Sequence, residues 1–512
     1  PNAIEDDELR AARRDPVLMR DRIRFAFEDL VDAITENHPL VLLLEDLHWG
    51  DMPSIKVLEM TFQRLQKRPF FILALGRPEM AESFPNLLAE WSPSTIRLGG
   101  LSRRACQALI SRIVGTNASD DIVSSIVERS AGHPLFLEEL VRTVAETAGT
   151  TTNVLPETVL AMVQSRMSKL PSESRRILRA ASVFGEDFWR DGVAALLGAT
   201  DSEHDVDSSL RTLRDREFIE AKRASRFPGQ TEFRFRHALF REAAYAMLTE
   251  ADKTTGHFLA GSFLERVGET NAPLLAKHFA EAREPGRAAP YSIRAAREAL
   301  LGGDFDAVFH HAEWVIEHGT EALLVGEALA LKAEAAQWRG AYEQSGQLAE
   351  AAMAKLEAGT SLWFGAAMTL AVVLMRRIQI DKLNALCATL VRWGAENEWS
   401  DAFIEAAIRI GLQAYVVGQY KIAQELIVPM SQLLENRSEH GLRIQALLEV
   451  LEAARTTVGW QYDKTFKHSM EAARLFDQIG DLRTAAGQRL DATFTLVDLG
   501  KPERAIEVCK DL

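Results

Sequence analysis

The sequence is poor in cysteine, and its three, Cys106, Cys387 and Cys509, lie far apart with neither metal-ligand nor disulfide spacing. This excludes a disulfide-stapled domain and a zinc module, and fits a reducing compartment with the thiols as inert core residues. Long apolar runs are missing too. The longest, around Ala366 to Met375, falls far short of the roughly 20 residues a membrane-spanning helix needs. No signal-peptide pattern opens the chain, so no membrane is expected as partner and a cytoplasmic location is. Positive charge is in deficit, with 73 acidic against 59 basic side chains and a net charge of -14. A chain whose main task is to coat nucleic acid or an anionic membrane is excluded. No G-x-S-x-G elbow, no cysteine in a histidine context and no kinase signature occurs, which removes nucleophilic acyl transfer and protein phosphorylation from this stretch. Nor does the phosphate-cradling pattern G-x-x-x-x-G-K-[ST] appear.

What is present begins with Val41 to Asp51, VLLLEDLHWGD. Val and Leu without polar alternation suit a central parallel strand covered on both faces. Ligands bind at the carboxyl ends of such strands, where Glu45 and Asp46 fall. Hard oxygen ligands suit magnesium and an adjacent carboxylate can orient water, so the pair has the character of a Walker B segment. A second strand candidate, Pro69 to Glu79, follows a helical stretch from about Ser54 to Gln66 and carries Arg77 at its end. A guanidinium at that strand end suits a terminal phosphate. Either strand taken alone would serve equally as a structural element.

Together with LHWGD and the stretch GHPLFLEEL from Gly132 to Leu140, these segments resemble the STAND class of signalling ATPases, relatives of the AAA proteins. The resemblance implies ATP or ADP with magnesium as ligands. It implies Asp46 orienting the attacking water, Glu45 supporting magnesium through its shell, and Arg77 sensing the terminal phosphate. A glutamate where many Walker B segments carry aspartate leaves the division between Glu45 and Asp46 open. The proline of the family's matching turn packs by the adenine, which carries over to Pro134, with Gly132 in the turn before it. Gly-x-Pro ahead of a helix is also ordinary turn chemistry. The family's P-loop lies farther upstream of the Walker B strand than the roughly 40 residues available here. The expectation is therefore a fragment beginning inside its nucleotide domain, with residues 1–97 as the latter part of a P-loop ATPase domain and 98–150 as a helical lid.

Residues 151–250 read as a winged helix. Leu160, Val163, Met167 and Leu170 form one helical stripe and Ile177, Ala181 and Phe184 another. Glu217 to Ala221 and Thr231 to Arg236 read as a ribbon around Phe227-Pro228-Gly229. The third helix, expected at Phe188 to Gly198, carries only Arg190 as a base, against a small basic wing of Lys222, Arg223 and Arg226. Groove reading is poorly supported, and the expected role is intramolecular regulation. His237 stands where the strand turns helical, a place for a structural hydrogen bonder. In related switch ATPases a histidine at the end of this unit touches the diphosphate of ADP, so the resemblance makes His237 an ADP sensor.

From 251 to 512 the composition shifts to alanine, leucine, glutamate and arginine, with turns at Gly303-Asp304, Gly340-Ala341, Gly418-Gln419, Gly459-Trp460 and Gly500-Lys501. The spacing is about 40 residues, and the longer gap fits one degenerate unit near Ile380. The pattern resembles tetratricopeptide-like helix pairs, which stack into a solenoid with a concave binding surface. Trp314, Trp338, Trp363, Trp393 and Trp460 are expected in its core. The fold class is thus mainly α: a partial α/β P-loop domain, a helical lid, a winged helix and an α-solenoid. The resemblance extends to the carboxyl-terminal half of bacterial signalling proteins in which a serine/threonine kinase or nucleotide cyclase precedes a STAND module, the stretch FRHALFREAAYAMLTEAD in particular matching the kinase-fused kind. It implies an ATP-binding switch with a protein or peptide on the solenoid and nucleotide-dependent self-association. A transcription regulator of the maltose-activator type and a non-hydrolysing scaffold are the two other classes open to this sequence.

Overall fold

A computed structural model of the chain describes residues 16–45, 47, 50–76, 94–114, 120–146, 159–198, 203–431 and 441–510. The chain divides into two compact units, residues 1–92 with 289–512, and residues 93–288. No described helix is long and apolar enough to cross a membrane.

The first unit opens with α1 (Pro16–Asn37), β1 (Leu40–Leu44), α2 (Met52–Arg64) and β2 (Phe70–Ala74). Asp51 starts α2 by accepting from the backbone N–H of Ser54 at 2.8 Å, with a proline in the first turn. The crossover returns β2 parallel to β1 in register from Leu40 against Phe70 to Leu44 against Ala74. Val31, Leu65 and Phe70 are buried there with Leu40, Leu42 and Ile72 packed against them. The strands are not covered on both faces, because the period of two sends alternate residues the other way: Val41 is 63% exposed and Phe71 58%. On α1, Val31 is buried whereas Ile23 and Leu30 are more than half exposed, so its apolar residues do not form one buried stripe.

In the second unit α3 (Arg103–Val114), α4 (Asp120–Ser130) and α5 (Pro134–Glu146) form a helical cluster whose Cys106, Ile110, Ile126, Leu137 and Leu140 are fully buried. There follow α6 (Val159–Ser168), α7 (Ser172–Phe184), β3 (Asp187–Trp189), α8 (Arg190–Leu197), α9 (Glu203–Asp215), β4 (Ile219–Ala221) and β5 (Glu232–Phe235). The three strands form an antiparallel sheet in the order β3-β5-β4. Helix, strand, helix, helix and hairpin is the order of a winged helix. Its third helix is α9, not the segment Phe188–Gly198, whose first residues belong to β3. Three helices, α10 (Ala238–Ala246), α11 (Glu250–Arg266) and α12 (Ala272–Glu281), complete the unit.

The remainder is helix after helix, in pairs: α13 (Pro285–Gly302) with α14 (Phe305–His318), α15 (Ala322–Trp338) with α16 (Tyr342–Lys355), α17 (Ser361–Arg376) with α18 (Ile380–Glu396), α19 (Asp401–Val416) with α20 (Tyr420–Ser431), α21 (Leu442–Val458) with α22 (Tyr462–Ile479), and α23 (Leu482–Asp498) with α24 (Pro502–Lys510). One continuous core runs through most of them, from Leu329 through Phe364, Cys387, Phe403 and Leu447 to Phe476. Small residues let the pairs approach: a Cβ on Gly394 would lie 2.4 Å from the Phe403 ring. Each pair is joined by the same turn, with a left-handed residue at Gly303, Gly340, Ile378, Gly418, Trp460 or Gly500. In each turn that residue donates its N–H three residues back, and the next residue donates five back, as Gln379 does to the Leu374 carbonyl at 2.8 Å. This double bond satisfies carbonyls that a helix end leaves open. Of the tryptophans expected in the core, Trp363 is buried and Trp393 packs half-buried against the same core, but Trp338 is 50% and Trp460 79% exposed. Cys509 is likewise exposed. Its Sγ lies 3.8 Å from the Thr493 hydroxyl of α23.

Candidate functional site

Parallel pairing places the carboxyl ends of β1 and β2 side by side, and the N–H of Leu75 donates to the Leu44 carbonyl at 2.7 Å. Glu45 follows β1 at once and is exposed. Asp46 and Arg77 lie outside the described residues. The N–H of Leu47 donates to the Leu75 carbonyl at 2.9 Å, which closes this edge just beyond the strand. Among the described residues no three His, Cys, Asp or Glu side chains gather to hold a metal.

In the second unit the turn before α5 is built on Ala131 (φ 46°) and Gly132 (φ 77°). Only glycine fits the second position, because a Cβ there would stand 2.6 Å from the Leu101 carbonyl oxygen and 2.8 Å from its nitrogen. The Leu101 N–H donates to the Gly132 carbonyl at 2.7 Å, tying this turn to the start of α3. Pro134 then opens α5 with its ring exposed. The two elements are further linked to the winged helix by an ion pair of Arg142 on α5 with Glu217, which Arg236 also meets at 2.8 Å. Hydrogen bonds from Arg236 and Arg142 hold the Glu217 carboxyl below its usual pKa. Glu217 keeps a left-handed backbone (φ 58°) at the start of the hairpin. His237, next to Arg236, is the N-cap of α10 without a side-chain capping bond, its ring centroid 5.7 Å from that of Phe240.

Two of the three wing cations, and Arg190 on α8, spend their charge inside the unit. Lys222 binds Asp187 at 3.0 Å and also Glu232, Arg226 pairs with Glu269, and Arg190 holds Asp207 at 2.8 Å. Burial works against all three members of the Lys222 cluster, yet the hydrogen bonds prevail and keep Glu232 and Asp187 acidic and Lys222 basic. A cation already paired has little left for a phosphate backbone.

The helices α15, α17, α19, α21 and α23 line a groove of about 620 Å³. Its floor is Gly365, Ala366 and Thr369 of α17 with Ile410 of α19 and Leu447 of α21. Along one wall the Arg443 fork meets both Glu405 oxygens, at 2.9 and 2.8 Å, and reaches Asp481 at 3.4 Å. Arg409 adds a third contact to Glu405 at 3.0 Å. Burial of Glu405 opposes its ionisation, but the arginine bonds overcome this and hold its pKa low. Gln337 brings a solvent-shielded Oε1 with no hydrogen-bond partner to the same groove. None of these residues stands out in sequence, because Glu405, Arg443 and Asp481 sit 38 residues apart. The signal that would find them is the repeat period itself.

No family model matches the chain. It is 25% identical over 257 residues, 48% of this chain, to an uncharacterized protein of Rhizobium meliloti (strain 1021), and the match spans 24% of that protein's length. Among solved structures it is similar to a signal transduction ATPase with numerous domains from Pyrococcus horikoshii that carries a tetratricopeptide repeat sensor. The identity is 14% and the TM-score 0.48, over 93% of this chain and 75% of the other.

Proposed function

We propose that this protein is an ATP-dependent signalling switch of the STAND kind whose helix pairs receive a protein or peptide. The observation that carries the nucleotide half of the reading is the in-register parallel pairing of β1 and β2. Glu45 and Gly76 leave the sheet at one edge, followed in sequence by Asp46 and Arg77, the arrangement a strand-end phosphate site requires. The donor set at that edge is carboxylate oxygen, which fits magnesium. Glu45 supports the metal through its shell, Asp46 orients water and Arg77 meets the terminal phosphate. Bound with the nucleotide, magnesium would supply neutralisation of phosphate charge. The STAND resemblance gives Pro134, which follows the Gly132 turn, to the adenine and His237 to the diphosphate of ADP. The groove along α15 to α23 is the sensor surface in this reading. The stretch FRHALFREAAYAMLTEAD extends the proposal to a serine/threonine kinase as the output that the switch controls, with a nucleotide cyclase as the alternative.

The test is Asp46→Asn in the protein expressed with its native reading frame. Hydrolysis should fall by about two orders of magnitude, the scale of a lost general base, while ADP affinity stays within threefold. Retained hydrolysis would refute the role of Asp46. His237→Ala should speed ADP release, and an unchanged release rate would remove His237 from the nucleotide.

A further inference from the structure

The helical cluster α3–α5 and the winged helix lie in one compact unit, and Arg142 on α5 has a carboxylate on each side of the junction. Glu217 of the winged helix meets one guanidinium nitrogen, and Glu138, one turn back on α5 itself, lies 3.5 Å from another. Side chains four residues apart on a helix are neighbours, so the Glu138 pair needs nothing from the winged helix. Glu217 likewise has a partner on its own side, Arg236 just past β5, at 2.8 Å. If α5 moves away, Arg142 keeps Glu138 and Glu217 keeps Arg236. Neither arrangement leaves a charge unpaired, which removes the usual penalty for breaking an ion pair.

The winged helix holds Glu217 under strain. At the end of α9 the N–H of Glu217 donates to the Arg214 carbonyl and that of Phe218 to the Leu213 carbonyl, both at 2.9 Å, with Glu217 at φ 58°. Glycine makes the same two bonds without strain, whereas a residue with a Cβ is disfavoured there about 5- to 30-fold. The main chain has no need of glutamate at this place, and what glutamate adds is the carboxylate. The side chains of Arg142, Glu217 and Arg236 are 31%, 39% and 39% exposed, and ion pairs that open to solvent return about fivefold each at most. Strain and attraction nearly balance. Such a contact biases a position without locking it.

We infer that Arg142 is a two-position latch: on Glu217 it holds the α3–α5 cluster to the winged helix, and on Glu138 alone it lets the cluster move away. Among the described residues α5 packs on α3 and α4 and on no element of the winged helix to a comparable extent, so the three helices move as one body. The Gly132 turn, tied to Leu101, belongs to that body, and His237 adjoins Arg236 on the other. The latch is independent of the nucleotide reading, although in that reading it decides whether Pro134 and His237 stand at one site.

Two spin labels on the full chain test this, at Ser111→Cys on α3 and Ser172→Cys at the start of α7, both exposed positions, with the exposed Cys509 replaced by serine. Pulsed dipolar spectroscopy should find the latched distance and a second population. Glu217→Gly and Glu217→Asn suit the left-handed backbone; each should move the ratio of the two toward the second by about threefold to fivefold, with the thermal midpoint unchanged or higher. Glu138→Gln takes away the alternative partner and should move the ratio toward the latched distance. A single distance shared by the wild type and all three variants overturns the inference, as does a shift of the same sign for Glu138→Gln and the Glu217 variants. A large fall in midpoint for both Glu217 variants would also overturn it, since the carboxylate would then be structural.

Discussion

Gly132→Ala is the substitution for which the structure gives the largest single cost near the nucleotide-binding candidates. Two terms add. The left-handed backbone at φ 77° costs an alanine about 1–2 kcal/mol. The new Cβ would also sit 2.6 and 2.8 Å from the Leu101 oxygen and nitrogen and 3.1 Å from the Gly100 carbonyl carbon, all backbone atoms that no rotamer change can move. Relief requires separating the turn from Leu101 and losing the 2.7 Å bond between them, about 1–3 kcal/mol more when it is shielded from water. The sum, about 2–5 kcal/mol, corresponds to a rise in amide exchange of about 30-fold to several thousand-fold at 1.4 kcal/mol per decade. Hydrogen exchange followed by mass spectrometry is the suitable assay, because a chain of two units has no single unfolding free energy. The rise should fall on residues 101–106 and 133–140. Gly418→Ala is the control: its Cβ meets nothing within 4 Å, so only the backbone term applies, about tenfold, and only within the helix pairs. A Gly132→Ala protein whose exchange changes less than tenfold would refute the forced-contact argument.

Other perturbations have clear directions. His257 and His278 face each other through Nδ1 at 3.0 Å, with the Tyr245 hydroxyl 2.8 Å from His257 Nε2. Burial first, then nearby positive charge including Lys277, pulls their pKa values down to about 4 and about 3. The unfolded chain takes up protons as pH falls through about 6.5 while the folded unit does not, so stability should decline from pH 6.5 toward pH 4. His257→Gln with His278→Gln should flatten that slope in a melting series. Glu217→Gln breaks the link among Arg142, Glu217 and Arg236; with all three partly exposed the loss should stay below about 1 kcal/mol. Because the folded pKa of Glu217 is depressed, its wild-type contribution is present above about pH 4.3 and is lost as pH falls through the folded value. Exchange protection of α5 followed across that range would show it. Arg443→Ala removes the fork from the half-buried Glu405 and leaves Arg409 as its remaining ion partner, which should cost about 1–3 kcal/mol as local exchange in α19 and α21. Glu405→Gln in the Arg443→Ala background should recover much of it.

The helix pairs were legible from sequence because glycine punctuates four of the six turns and small residues fill the contacts between them. The turn at Ile378 carries no glycine, which is why that unit reads as degenerate although its hydrogen bonds are those of its neighbours. Trp460 follows a glycine that sits one place too early. Tryptophan is usually core, so nothing local marks it as exposed. The helix expected third, at Phe188 to Gly198, is the second of the winged unit, and α9 went unread, because β3 has only three residues, too few to show alternation, and α9 shows just Val206, Leu210 and Leu213 as a buried stripe in a polar segment. The parallel pair was legible from composition, whereas its open face was not: an unalternating apolar run fits burial on one side as well as on two. The Glu405–Arg443–Asp481 wall depends on residues brought together only by stacking.

Isothermal titration of the protein with ADP and magnesium tests the central reading most directly. The account predicts saturable binding of one nucleotide that Asp46→Asn leaves nearly unchanged and His237→Ala weakens. Absence of any nucleotide binding, with the helix pairs folded, would contradict it and leave a repeat-bearing binding protein.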